Sequence, residues 1–221
     1  MRSFFGPLKV RVWGERACFT RPECKVDRVS YPIMTPTAAR GVLEAIYWHP
    51  EMYWRVTEIW NLRRVKWFSW VVNEVTGDRG VGVKWSAMNP YNAPDYRDQR
   101  HMLALRDVAY LIFGEIVSRG GTDAGEARHR DQFQRRLKQG ACAYQPFLGT
   151  REFTAYFAPA DGTEEPIPLD QEDMGRMVGS LYDLTVDPKL SKRASRVSFD
   201  ASAAGGVLRV DPRVYEPRVA P

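Results

Sequence analysis

Few side chains in this sequence titrate near neutrality. Among 221 residues there are three histidines, His49, His101 and His129, and three cysteines, Cys18, Cys24 and Cys142. An imidazole titrates near neutrality, so it can take a proton from a reacting group and return it. The three histidines are scattered along the chain, which predicts no zinc centre and no structural metal. The cysteines form no CxxC pair, and their odd number fits a reducing compartment better than a disulfide framework. Cations dominate what remains. The chain has 32 basic and 27 acidic residues, a net charge of +5, and 25 of the basic residues are arginine. The arginine fork matches phosphate bidentately, so this skew suits a nucleic-acid partner. A GC-rich codon bias would also turn lysine into arginine, and both readings stay open on composition alone.

The charge is unevenly placed. Residues 1–50 carry eight basic and four acidic residues, and residues 119–151 carry seven and three. Residues 161–188 reverse this with eight acidic residues and one basic, Arg176, and from Lys189 onward the balance returns to seven basic and three acidic. Contact with a polyanion is therefore expected on selected faces only. With 44% hydrophobic and 12% aromatic residues the chain can bury a core, which excludes global disorder. No apolar run approaches the roughly 18 residues that span a bilayer. The opening MRSFFGPLKVRVWG lacks the apolar stretch of a signal peptide. A cytoplasmic location without a membrane partner is expected.

The elements that must carry this chemistry follow from periodicity. Leu8 to Trp13 alternates apolar and basic residues and predicts a half-exposed strand. Gly14 to Thr35 reads as a long loop. Thr35-Pro-Thr37 is a helix-start signal ahead of a helix over Ala38 to Trp48, which Pro50 is expected to stop. Tyr53 to Leu62 and Val65 to Val75 read as strands paired with each other. Thr76 to Arg100 reads as an insertion or long hairpin, and Leu103 to Val117 as a central strand. Glu126 to Gln139 has helical character with Gly140 as its stop, and Phe147 to Phe157 reads as a turn plus strand. With the excursion removed the order is βαββαβ, an α+β ferredoxin-like (RRM-like) arrangement. The expected division is a domain over residues 1–158, with its insertion at about 76–100, and a small β-rich region over residues 159–221.

Three segments carry a resemblance. Trp13 to Tyr31 (WGERACFTRPECKVDRVSY) continues into Thr35 to Pro50 (TPTAARGVLEAIYWHP). The second is Arg100 to Tyr110 (RHMLALRDVAY). The third joins Arg128-His129 and Phe133 to Gly140 (FQRRLKQG) with Pro146 to Glu152 (PFLGTRE). In order, over roughly residues 8–158, they resemble the fifth CRISPR-associated protein of subtype I-C, a member of the RAMP superfamily. The resemblance implies a ferredoxin-like domain with a small β-rich C-terminal part. It also implies an endoribonuclease that cuts the repeat of precursor crRNA without metal or other cofactor, then stays on the 5′ handle of the guide as a subunit of Cascade. Backbone, large and small Cascade subunits would be its partners, and it would reach target DNA through the complex.

That family's catalytic set is a tyrosine closing the first helix and a Lys-His pair opening the second. Tyr47 and His129 match, while Arg128 stands where the lysine is usual. Metal-free cleavage needs the 2′-hydroxyl to lose its proton and attack the adjacent phosphate in line. The products are then a 2′,3′-cyclic phosphate and a 5′-hydroxyl. On this resemblance His129 moves the proton and Arg128 stabilises the charge on phosphorus. Tyr47 orients the nucleophile or relays its proton. Arginine keeps the charge of lysine but cannot release a proton at ordinary pH. A non-catalytic subunit that only binds the handle is therefore the alternative. Without the resemblance, Tyr47 reads as a core tyrosine and His129 as a surface histidine on a polar helix face, with His101 as a rival to His129. RNA contact beyond catalysis is expected from Arg16, Arg21, Lys25, Arg28, Arg40, Arg100, Arg135, Arg136, Gly149 and Arg151, with Trp13 and Phe19 as candidate stacking platforms.

Overall fold

Alternation in Leu8–Ala17 buries Leu8, Val10 and Val12 on one face and leaves Lys9 exposed and Arg11 and Trp13 half-buried on the other, forming strand β1. The computed structural model describes residues 3–24, 26–75, 97–119, 122–175, 180–185 and 195–210. In chain order the remaining elements are β2 (Arg28–Val29), α1 (Pro36–Ile46), β3 (Met52–Asn61), β4 (Trp67–Val75), β5 (Arg97–Ser118) and α2 (Asp123–Gln139). They are followed by β6 (Tyr156–Pro159), α3 (Gln171–Gly175), β7 (Ser180–Thr185), β8 (Ser195–Asp200) and β9 (Val207–Arg209).

The main sheet runs β6-β1-β5-β3-β9, and every pairing along this path is antiparallel. Strands β1, β3, β5 and β6, with α1 and α2 between them, are the four strands of the βαββαβ unit in ferredoxin-like order. The apolar stretch read as a central strand is one: β5 is 22 residues long and buried almost without interruption from Val108 to Ser118. A strand covered on both faces shows no alternation.

The structure corrects several expectations. Gly14 to Ala17 continue β1, and β2 also falls inside the expected loop. β3 and β4 do not pair with each other. They lie end to end along β5, β4 opposite Arg97 to Leu105 and β3 opposite Tyr110 to Ser118, because β5 is about as long as both together. The turn between them crosses Asp107, which has a left-handed φ of 54° and whose carboxylate accepts from Arg63 and Lys66. Arg97 to Arg100, expected in the insertion, belong to β5. The register Val75↔Arg97 makes β4 and β5 a hairpin whose connecting residues 76–96 lie outside the described residues.

After Pro159, β9 pairs with β3 and the Asn61 side-chain amide donates to the Ile167 carbonyl at 3.1 Å, while β7 and β8 form a separate two-stranded sheet. Among the described residues no helix is long and apolar enough to cross a membrane.

Two glycines show how closely backbones approach. At Gly114 a Cβ would stand 2.6 Å from Leu43 Cδ1 and 3.2 Å from the Trp54 ring, so its absence lets α1 lie down on β5. Gly149 has φ +88° and would place a Cβ 1.9 Å from the Cys18 carbonyl oxygen. Gly149→Ala should therefore destabilise the chain by more than ~2 kcal/mol, strain and overlap acting together. Gly140→Ala, also at positive φ but facing open space, should cost only ~1 kcal/mol. Chemical denaturation of the two variants checks the difference.

Candidate active site

Tyr47 lies where α1 ends. The helix stops at Ile46, earlier than Pro50 would dictate, because Tyr47 itself is extended (φ −154°, ψ 127°). The last carbonyls of a helix have no partner within it and must be met from elsewhere. Here Ala143 N–H donates to Ala45 O at 2.7 Å, the Arg136 guanidinium to Ile46 O at 3.0 Å, and Trp54 Nε1 to Tyr47 O at 2.8 Å. Three elements thus hold the helix exit, and with it the phenol. At the other end, the Thr35 hydroxyl caps the Ala38 N–H and Pro36 occupies the first turn, as expected from the sequence.

His129 is carried by α2, which begins at Asp123 behind a Thr122 cap and ends at Gly140 with φ 65°. Its buried stripe is Glu126, His129, Phe133 and Leu137, spaced at helical intervals. His129 is only 2% exposed, so the polar-face reading is corrected: the imidazole points inward with Phe133, while Arg128 and Arg135 point out. Phe133 packs edge-on to Trp54 at 4.7 Å, the same ring that holds the Tyr47 carbonyl. Buried Glu126 accepts from the backbone N–H of Phe4 at 3.0 Å and of Phe5 at 3.3 Å, pinning the N-terminal segment to α2.

These two elements bring phenol and imidazole together. Tyr47 Oη lies 2.7 Å from His129 Nδ1, while His129 Nε2 is buried without a hydrogen-bond partner. Above them opens a cleft of about 440 Å³ lined by Tyr47, His49, Glu51 and, from α2, Arg128, His129, Asp131, Gln132 and Arg135. Arg128 reaches the site exposed and paired with Glu51 at 2.7 Å. The same carboxylate oxygen stands 3.8 Å from His129 Nε2 and 3.7 Å from His49 Nδ1. One guanidinium and two imidazoles thus surround a single anionic oxygen.

The environment sets the protonation states. Burial, then His49 and Arg128, hold the His129 imidazole below its ordinary value of 6.5, with Glu51 opposing. Burial pushes the Tyr47 phenol above 10, against Arg128 and Arg136. At neutral pH the pair is therefore a neutral imidazole beside a neutral phenol.

The other sequence candidates are dispersed. Arg135 is exposed on the cleft wall and Arg136 lies 5.7 Å from the Tyr47 ring. Arg40 lies in α1 six residues before its end, paired with Glu44 at 3.8 Å. Arg16 lies over Phe68 and Trp70, and Arg21 over Tyr31 and beside Glu23. Arg28 bonds Glu74 at 2.9 Å, and Arg100 pairs with Asp98 at 2.7 Å. Arg151 is exposed on the loop beyond Gly149. Lys25 lies outside the described residues. His101 sits on β5 opposite Val71 and does not line the cleft. Phe19 is in the core, edge-on to Tyr110, so it cannot stack a base. Trp13 is half-buried and stacks on the exposed Tyr156 at 6.1 Å.

Sequence reasoning did not assign Glu51 or His49 to the site. The available signal was their position two and four residues beyond Tyr47, on the turn leaving α1. His49 and His129, whose separation in the chain suggests no zinc site, have ring centroids 5.0 Å apart.

The fold and this cleft define a class: a ferredoxin-like protein with a tyrosine–histidine pair beneath an arginine rim. Within that class, the family described as CRISPR-associated protein (Cas_Cas5) matches residues 7–211, and the chain belongs to it. It is similar to the CRISPR pre-crRNA endoribonuclease Cas5d of Thermus thermophilus, 49% identical over 177 residues, covering 80% of this chain and 72% of that one. The protein of the same description from Mannheimia succiniciproducens is 36% identical over 214 residues, covering 93% and 95%. A crystal structure of a CRISPR-associated protein shares the fold with a TM-score of 0.60 at 23% identity, covering 93% of this chain and 91% of that one.

Proposed function

We propose that this chain is a metal-independent endoribonuclease that cleaves the repeat of precursor crRNA and then stays on the 5′ handle of the guide. It acts as the subunit of a cytoplasmic type I-C Cascade, with the backbone, large and small subunits as partners and target DNA reached through the complex. The observation that carries this reading is the 2.7 Å contact between Tyr47 Oη and His129 Nδ1 under the arginine-rimmed cleft. Its relatives' names, quoted above, support the same substrate.

The residues divide the chemistry as follows. With Nδ1–H donating to Tyr47 Oη, the lone pair of His129 Nε2 faces the cleft. Nε2 takes the proton of the 2′-hydroxyl as the 2′-oxygen bonds to phosphorus. The bond from phosphorus to the 5′-oxygen breaks, and that oxygen leaves with a proton returned from the imidazolium. A 2′,3′-cyclic phosphate and a 5′-hydroxyl result. Arg128 exchanges the Glu51 carboxylate for a phosphate oxygen and stabilises the charge that gathers there. This role needs charge and directed donors rather than a proton, so arginine suffices where the family's lysine is usual.

Arg135 and Arg136 hold the strand near the cleft, and Arg40 meets it farther back along α1. Arg16, Arg21, Lys25, Arg28, Arg100 and Arg151 hold the handle further along residues 1–158, and Gly149, whose missing Cβ makes room for the Cys18 carbonyl, shapes the loop that presents Arg151. Residues 159–221 serve as a small annex tied to the sheet by β9.

Incubating the protein with its cognate repeat hairpin in EDTA tests the reading. Cleavage is expected. Tight binding of uncut RNA, the same in wild type and His129→Ala, would favour the handle-binding subunit instead. Tyr47→Phe removes the oxygen that fixes the imidazole and should slow single-turnover cleavage at least about tenfold. The pH profile gives a further check. The groups facing His129 are Tyr47, His49, Glu51 and Arg128. A base held below its ordinary value loses its proton at lower pH than a free imidazole does. The rate should therefore rise with pH through a midpoint below 6.5 and be flat by neutrality.

A further inference from the structure

We propose that His49, Glu51 and His129 form a binding site for one divalent transition-metal ion, zinc or its analogues cobalt and nickel, and that an ion bound there blocks RNA cleavage. Each of the three offers one ligand atom, and these atoms all lie within 4.8 Å of one another. Two ligands ~2.1 Å from a tetrahedral ion stand about 3.4 Å apart. Glu51 Oε2 is already 3.8 Å from His129 Nε2 and 3.7 Å from His49 Nδ1, so a small closure completes the set. The movable members are exposed Glu51 and half-buried His49, while His129 is fixed in the core.

A second observation points to a ligand. His129 Nε2 is buried, unpartnered and directed at the cleft, while its other ring nitrogen is held by Tyr47. Anchoring the far nitrogen is how metal-binding histidines are oriented. Two imidazoles and one carboxylate suit zinc, cobalt and nickel far better than magnesium or calcium. The ion must displace Arg128 from Glu51, and from His49 Nδ1 the Glu51 backbone N–H that donates to it at 3.3 Å; both exchanges weaken binding without preventing it. Once bound, it occupies the Nε2 lone pair. This second half of the proposal rests on the reading of His129 as the proton acceptor.

The test is calorimetry with zinc chloride, and visible absorption with cobalt chloride, on the RNA-free chain. Wild type is expected to bind one ion. His49→Ala and Glu51→Gln should each lower the affinity at least about tenfold, since losing a ligand costs no less than losing its support. His101→Ala, which removes the third histidine, should bind as wild type does. Equal affinity in His49→Ala and wild type, or loss of binding in His101→Ala, would overturn the site. In the cleavage assay zinc should stop the reaction and excess chelator restore it; continued cleavage with zinc bound would overturn the block. A chain that binds zinc but never cuts RNA refutes the nuclease reading and leaves the site standing. A chain that cuts RNA in EDTA but binds no ion refutes the site alone.

Discussion

Replacing His129 with alanine should slow cleavage of the repeat hairpin by ~10²–10⁴-fold, the range expected when the group that moves the proton is lost. Single-turnover rates at saturating protein measure it. Because His129 is buried against α1, alanine also leaves a hole and strips Tyr47 Oη of its partner. His129→Asn separates the effects: it returns a polar partner for the phenol and fills much of the space, yet cannot accept a proton near neutrality. Comparable losses in both variants, with hairpin affinity retained, place the defect in proton transfer. A near-wild-type rate in His129→Asn would assign His129 a packing role.

Arg128→Ala should lower the rate by ~10²–10³-fold, the loss typical when one donor to a developing negative charge is removed. Arg128→Lys should keep the rate within about tenfold of wild type. The pair isolates charge from proton supply, since lysine and arginine share the first and differ in the second. Stability hardly enters. Arg128 and its partner Glu51 are both exposed, and exposed pairs contribute ~0–1 kcal/mol. Salt should reveal the same division of labour, because binding that rests on many arginine–phosphate contacts weakens steeply as salt rises, while the rate of the bound complex does not.

Much of the scaffold was legible in the sequence because its signals are local. The alternation of Leu8 to Trp13, the Thr35-Pro36 start of α1 and the Gly140 stop of α2 each reflect one element's own backbone. What escaped depends on partners distant in the chain. The end of α1 is set by Trp54, Arg136 and Ala143 meeting its carbonyls, so Pro50 was a misleading boundary. The end-to-end placing of β3 and β4 follows from the length of β5, which no pattern within β3 or β4 records.

His129 shows the same limit at the site. Flanked by Arg128 and Arg130, it looks like part of a polar face. Yet its spacing from Phe133 and Leu137 already put it on the apolar stripe. Glu51 and His49 carry no motif, and only the folding of the turn after Tyr47 brings them to the imidazole. The resemblance supplied Tyr47, Arg128 and His129 as a set; the structure brings the three to one cleft and adds the carboxylate that Arg128 must release.

The sharpest test of the Tyr47–His129 pair is a four-protein comparison of cleavage rate in EDTA: wild type, Tyr47→Phe, His129→Ala and the double variant. Groups that act as one unit give strongly non-additive losses. The double variant should therefore be no slower than His129→Ala alone, with both well below Tyr47→Phe. Losses that multiply, or wild-type rates in the single variants, would contradict a chemical centre built on this phenol and this imidazole.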